Sequence, residues 1–282
     1  MPVHFRGRVS VKRASLLAGP LAAILIGVVC PSSAALIGIS RATDGFYSID
    51  TLTGAATLIS TSNRNASFSG LAYLGPVLYA SDFAPNEGSF ELVRVDLATG
   101  ASTFVSDQGG SANWHGLAAN QSAGLLYSID LSGGKLLKSL NPISGVITTI
   151  GETGIEGRGM EYDDASGVLY ALGPADEVQS LYRISLVDGS ATLIGPTGVT
   201  SFFAGLAFDN GILYMVADPD DSGTGSSNLY RVNLATGAAT KIGSTGIDQI
   251  DGLAGSSVPE PATLALLGLA LAGLAASRRR KR

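Results

Sequence analysis

His115, Arg158 and Asp251 each stand immediately before a glycine that opens a Gly-Leu-Ala-type triplet, and Phe68, Trp114 and Phe203 each stand two residues before such a glycine. A repeat that returns these positions to one place would gather an imidazole, a guanidinium, a carboxylate and three aromatic rings at the mouth of a channel. Aromatic faces stack on a sugar or another flat ligand, and the three polar groups supply hydrogen bonds that orient it. The competing reading is that Phe68, Trp114 and Phe203 plug the channel or pack between repeats. Repeat-equivalent apolar positions favour that second reading, because they are usually core.

Asp218-Pro219-Asp220-Asp221-Ser222-Gly223 is the other candidate. Oxygen ligands at Asp218, Asp220 and Ser222, alternating before a glycine, resemble the first half of a calcium loop. Position twelve is Leu229, which supplies no bidentate carboxylate, and acidic side chains in a Gly/Ser-rich connection are commonly just solvated. No cofactor is expected beyond a calcium ion at this loop, which would stabilise it and not act in catalysis.

Signs of catalysis are sparse. His4 and His115 are the two histidines, too few for a multi-histidine metal site. No nucleophile elbow and no phosphate-binding glycine loop before a helix is visible. The pairs Asp163/Asp164 and Asp220/Asp221 are chain neighbours, which does not establish the facing separation that glycoside hydrolysis uses. A non-catalytic binding module is expected, with a lyase or hydrolase acting through His115, Arg158 and nearby carboxylates as the alternative.

The elements that must position these residues follow from a repeat. Gly70-Leu71-Ala72, Gly116-Leu117-Ala118, Gly159-Met160-Glu161, Gly205-Leu206-Ala207 and Gly252-Leu253-Ala254 recur at intervals of roughly 45 residues, the blade size of a β-propeller. Between them come a Leu-Tyr strand, a third strand such as Leu229–Asn233, a glycine turn and a β-rich run such as Thr240-Lys241-Ile242. Tyr230, Val232 and Leu234 alternate with Arg231 and Asn233, as a sheet covered unequally on its two faces requires. The turns at Gly100, Gly189 and Gly237 put glycine where positive φ is needed. Leu36–Ile39 reads as a second strand whose missing first strand is supplied by Gly252-Leu253-Ala254. The expected fold is all-β, a five-bladed propeller over residues 36–256 with one blade closed by both ends of the array. A monomer is expected.

Both extremities carry targeting signals. Basic residues at Arg6, Arg8, Lys12 and Arg13 precede an apolar stretch from Ala14 to Val29, and small residues then offer signal-peptidase cleavage after Ala35. Residues 1–35 therefore read as a signal peptide, and Cys30, the one cysteine, leaves with it. At the other end Val258-Pro259-Glu260-Pro261 precedes the apolar run Ala262–Ser277, read as a transmembrane helix, and the cluster Arg278, Arg279, Arg280, Lys281 and Arg282 stops transfer on the cytoplasmic side. Between Leu36 and Ser256 lie nine Lys and Arg against 22 Asp and Glu, a net −13 where the whole chain carries −5. Such a body repels the phosphate backbone, so nucleic acid is not expected as a partner.

The order and spacing of residues 257–282 resemble the PEP-CTERM sorting signal of Gram-negative bacteria. That resemblance implies export across the inner membrane, transient anchoring by the C-terminal helix, and cleavage near Pro259-Glu260-Pro261 by the protease-transpeptidase exosortase. Delivery to the cell surface or its matrix would follow, with polysaccharide as a possible ligand. The repeats also resemble propeller-like repeat domains of secreted bacterial proteins, which implies fold and not activity.

Overall fold

The computed structural model describes Met1 and residues 35–64, 67–84, 89–107, 113–175, 178–201, 204–218 and 225–255. The chain divides into two units, residues 1–32 and 33–282, and every strand belongs to the second. Residues 2–34, where the sequence reads as a signal peptide, and the sorting segment, Val258 to Arg282, lie outside the described residues.

The strands form five four-stranded antiparallel sheets. The first blade uses β1 (Ala35–Ser40), β2 (Gly45–Asp50) and β3 (Ala56–Thr61). The second runs through β4 (Ser67–Leu74), β5 (Val77–Ala84), β6 (Ser89–Asp96) and β7 (Ala101–Asp107). The third holds β8 (Trp114–Asn120), β9 (Leu125–Asp130), β10 (Leu136–Leu140) and β11 (Ile147–Glu152). The fourth holds β12 (Met160–Asp163), β13 (Val168–Ala175), β14 (Val178–Ile184) and β15 (Ala191–Thr200). The fifth holds β16 (Ala204–Asp209), β17 (Ile212–Ala217), β18 (Ser226–Val232) and β19 (Ala239–Asp248). The last strand, β20 (Ile250–Gly255), returns to the first blade as its innermost strand, in the order β20-β1-β2-β3. Its register sets Leu36 opposite Gly255 and Gly38 opposite Leu253. The ring thus closes by the strand exchange that the displaced Gly-Leu-Ala triplet predicts.

Each inter-blade seam is an apolar cluster. Phe46, Phe68, Leu71 and Val93 join blades one and two, and Leu92, Trp114, Leu117 and Leu140 join blades two and three. The seam between blades five and one packs Leu36, Ile49, Val216, Ile250 and Leu253. Facing sheets that bury both surfaces in this way hold a propeller together without helices. The alternation read in the third strand is present: Tyr230 and Val232 are buried while Arg231 and Asn233 are exposed.

At the rim the turns before each outer strand are set by a side chain. Asp50 Oδ1 accepts hydrogen bonds from the Leu52 and Thr53 amides at 2.8 and 2.9 Å, and Asn233 Oδ1 accepts from those of Ala235 and Thr236. Such turns mimic a backbone hydrogen bond and hand the chain to a left-handed residue. Gly237 takes that place with φ 78°, and its Cα lies so close to Gly195 of the preceding blade that no Cβ fits.

Candidate functional site

The N-terminal ends of the five innermost strands define the upper end of the central channel, where the aromatic and polar candidates were expected. Phe68 and Trp114 are each 1% exposed. Phe68 packs against Phe46 with ring centres 5.6 Å apart and planes tilted by 52°, and Trp114 lies in the seam between blades two and three beneath the Lys138 ammonium, 5.7 Å from its ring centre. The buried Trp114 Nε1 has no hydrogen-bond partner among the described residues. Phe203 lies outside the described residues, as do Asp220 and Ser222. Asp218 is buried just beyond β17, near enough to Tyr230 for its charge to add to the upward push that burial gives the phenol. Among the described residues no three His, Cys, Asp or Glu side chains come together as metal ligands would.

The polar candidates do converge. Arg158 and Asp251 line the same narrow passage through the ring, and Asp251, 5% exposed, is paired with Arg41 at 3.2 Å. Arg158 reaches toward Glu156 at 4.0 Å. His115 rests at 5.7 Å against the Phe90 ring, and burial together with the fields of Arg158 and Arg41 lowers its pKa to about 4. It is therefore neutral at pH 7. Arg41 belongs to this group and had no signal in the repeat, because it follows β1 in the one blade built from both ends of the chain.

His115 yields a direct prediction. The unfolded imidazole protonates near pH 6.5 and the folded one near 4, so the unfolded chain binds the extra proton between those values. The contribution to stability is whole above pH 6.5 and is lost as pH falls toward 4. An NMR titration of the His115 ring is expected to show a midpoint near pH 4. A midpoint at the free-histidine value would mean that the ring lies in water, away from the two guanidiniums.

Below this level the channel is shut by glycines. A Cβ on Gly70 would stand 2.6 Å from Leu117 N, one on Gly116 2.5 Å from Arg158 O, one on Gly159 2.6 Å from Ala204 O, and one on Gly205 2.8 Å from Leu253 N. A Cβ on Gly252 would stand 2.8 Å from Ile39 Cγ2 and 3.3 Å from Gly70 C, which completes the circle. Each glycine lets the next innermost strand approach backbone to backbone. Among the described residues the passage at this level encloses no space large enough for a water molecule.

At the lower end, where the innermost strands finish, the channel widens into a cavity of about 220 Å³. Glu161, Asp163, Asp164, Tyr73, Tyr162 and Phe208 bring the polar and aromatic groups, and Ala72, Ala119 and Ala254 keep the space open. Glu161 replaces the alanine of the other four triplets, on the same strand face as Gly159. Burial pushes its carboxyl well above the usual carboxylate range, the Phe208 amide opposes that by hydrogen bonding, and Asp164 and Asp163 add to the rise. Asp164 and the phenols of Tyr73 and Tyr162 are also raised, each chiefly by burial. The sequence carried one sign of this cavity, the Ala-to-Glu exchange in the third triplet.

Residues 257–281 match the PEP-CTERM protein-sorting motif. That motif implies export, C-terminal membrane anchoring for sorting, and processing by exosortase. No curated protein matches the chain. A chain of the nidogen/laminin complex is similar at 16% identity with a TM-score of 0.52, over 78% of this chain and 97% of that one. A structural-genomics protein of unknown function from Bacteroides thetaiotaomicron VPI-5482 is similar at 16% identity with a TM-score of 0.51, over 74% of this chain and 55% of that one. At these identities the likeness shows the fold alone.

Proposed function

We propose that the protein is a non-catalytic propeller displayed at the cell surface or in the extracellular matrix, where it binds polysaccharide or another envelope component. The observation that carries this reading is the sorting motif at residues 257–281, which begins two residues after the closing strand β20 ends at Gly255. The ring is therefore the cargo that the motif delivers. Binding is favoured over turnover by the state of the upper mouth. Asp251 is held by Arg41, and His115 is half-buried and neutral beside two guanidiniums. An imidazole whose pKa lies near 4 is a poor proton acceptor near pH 7, where a general acid–base catalyst needs a matched pKa.

Two measurements on the protein recovered from the surface fraction of a producing strain test the reading. Mass spectrometry is expected to report one mature end near Ala35 and the other near Pro259-Glu260-Pro261. A glycan array run beside a lyase and hydrolase panel is expected to give binding without product. Recovery of the uncut chain from the cell interior would refute the display, and turnover of a bound glycan would favour the lyase or hydrolase alternative.

A further inference from the structure

We infer that the cavity at the lower end of the channel is a binding site for a primary ammonium group on a small organic molecule or lipid head group. It is a different site from the upper mouth, and the inference does not depend on glycan binding there.

Three observations carry it. First, the cavity holds three carboxyl groups, Glu161, Asp163 and Asp164, and among the described residues that line it there is no Lys or Arg. The neighbours that Asp163 and Asp164 do engage are neutral. Asp163 accepts from the Ala165 amide and the Ser166 hydroxyl, and Asp164 accepts from the Gln121 amide at 2.9 Å. Second, the walls include the rings of Tyr73, Tyr162 and Phe208. Carboxylates combined with aromatic rings suit an organic cation, whose charge is drawn to the ring quadrupoles and whose carbon atoms replace water along them. A volume of about 220 Å³ accepts such a group, and no three of these side chains converge as ligands of a bare metal ion would. Third, Glu161 stands where the other blades place alanine, so the one acidic departure from the inner-strand repeat points into this space. Its carboxyl and three neighbouring groups all resist ionisation. A cation in the cavity would favour the ionised carboxylates and so oppose that resistance.

The position of the site suggests a source for the amine. Gly255, the last residue of β20, lines the cavity, and Leu36 near the start of β1 lies opposite it in the sheet. Six residues, 256–261, separate Gly255 from the apolar run at Ala262. Fully extended, they reach about 21 Å at ~3.5 Å each. During membrane anchoring the lower face is thus held near the lipid head groups, where a phospholipid ethanolamine presents a primary ammonium.

Calorimetric titration of the full chain in detergent with ethanolamine tests the ammonium site. Ethanolamine is expected to bind, and E161Q is expected to weaken it at least tenfold. E161Q removes a carboxyl disfavoured by burial, so its Tm should not fall below that of the parent. Should it fall, Tyr73→Leu, which removes a ring from the same cavity, must lose the same affinity. Failure of the parent to bind ethanolamine, or equal binding by the variants, overturns the site. A second arm compares micelles doped with phosphatidylethanolamine or phosphatidylcholine. Binding of the first lipid that is abolished by E161Q identifies the head group as the source, whereas binding of free ethanolamine alone assigns the site to soluble amines. None of these outcomes bears on the glycan array, so the two readings fail separately.

Discussion

A chain ending at Gln249 is expected to lose on the order of half the stability of the ring, while a chain ending at Ser257 keeps it. The strand removed in the first case is β20, and it carries Ile250, Leu253 and Ala254, which are 1%, 2% and 1% exposed. Burial of a large aliphatic side chain is worth roughly 1.5–3 kcal/mol, so Ile250 and Leu253 together contribute about 3–6 kcal/mol. Typical domains hold only about 5–15 kcal/mol in total. The loss also leaves β1 with an unpaired edge and takes away the Ile250 amide bond to Ser227 Oγ at 2.9 Å, which ties β20 to blade five. Urea unfolding followed by tyrosine fluorescence, with dye binding to report exposed apolar surface, would measure it. An unchanged midpoint on loss of β20 would mean that closure by both ends contributes nothing.

Arg64→Met is expected to cost about 3 kcal/mol, the lower end of the range for breaking a buried ion pair because the arginine is partly solvated. Arg64 leaves β3 toward blade two and there meets two carboxylates. Its Nε lies 3.0 Å from Asp82 Oδ2, and a terminal nitrogen lies 2.6 Å from Glu91 Oε2. The Asp82 and Glu91 side chains are 1% and 7% exposed against 29% for Arg64. Removing the guanidinium leaves two negative charges directly opposite each other on neighbouring strands of blade two, in a poorly hydrated site. For a domain of this size about 3 kcal/mol lowers Tm by about 6–12 °C. Arg94→Met, on the exposed face of β6, should move it little. Asp82→Asn with Glu91→Gln, added to Arg64→Met, should recover most of the loss. If Arg64→Met and Arg94→Met unfold alike, the buried pairing does not hold this seam.

The fold was legible because its determinants repeat along the chain. Leu-Tyr pairs, alternation such as Tyr230/Arg231/Val232, and Asp or Asn turns ending in glycine are local patterns. Their recurrence in Gly70, Gly116, Gly159, Gly205 and Gly252 counts the blades directly. The displaced fifth triplet even marks which strand closes the ring. The functional site was only partly legible. Phe68 and Trp114 read as ligand platforms or as core, and only their repeat-equivalent positions favoured core, since an apolar side chain in a strand does not declare which neighbour covers it. In the structure both lie in the seams. Arg41 and Arg64 went unnoticed because their partners are distant in the chain: Arg41 pairs with Asp251, and Arg64 with Asp82 and Glu91.

By itself, then, the amino-acid sequence determined the number of blades, the closing strand, the acidic character of the body and the sorting motif. All of these are set by spacing, composition or a contiguous run of residues. Only the tertiary structure decided that five glycines shut the channel, that burial, with Arg158 and Arg41 nearby, lowers the His115 pKa, and that Glu161 looks into a cavity with two aspartates and three aromatic rings. Those outcomes depend on separations of a few ångströms between blades. Electrostatic and steric terms change most steeply over that distance, and sequence spacing does not specify it.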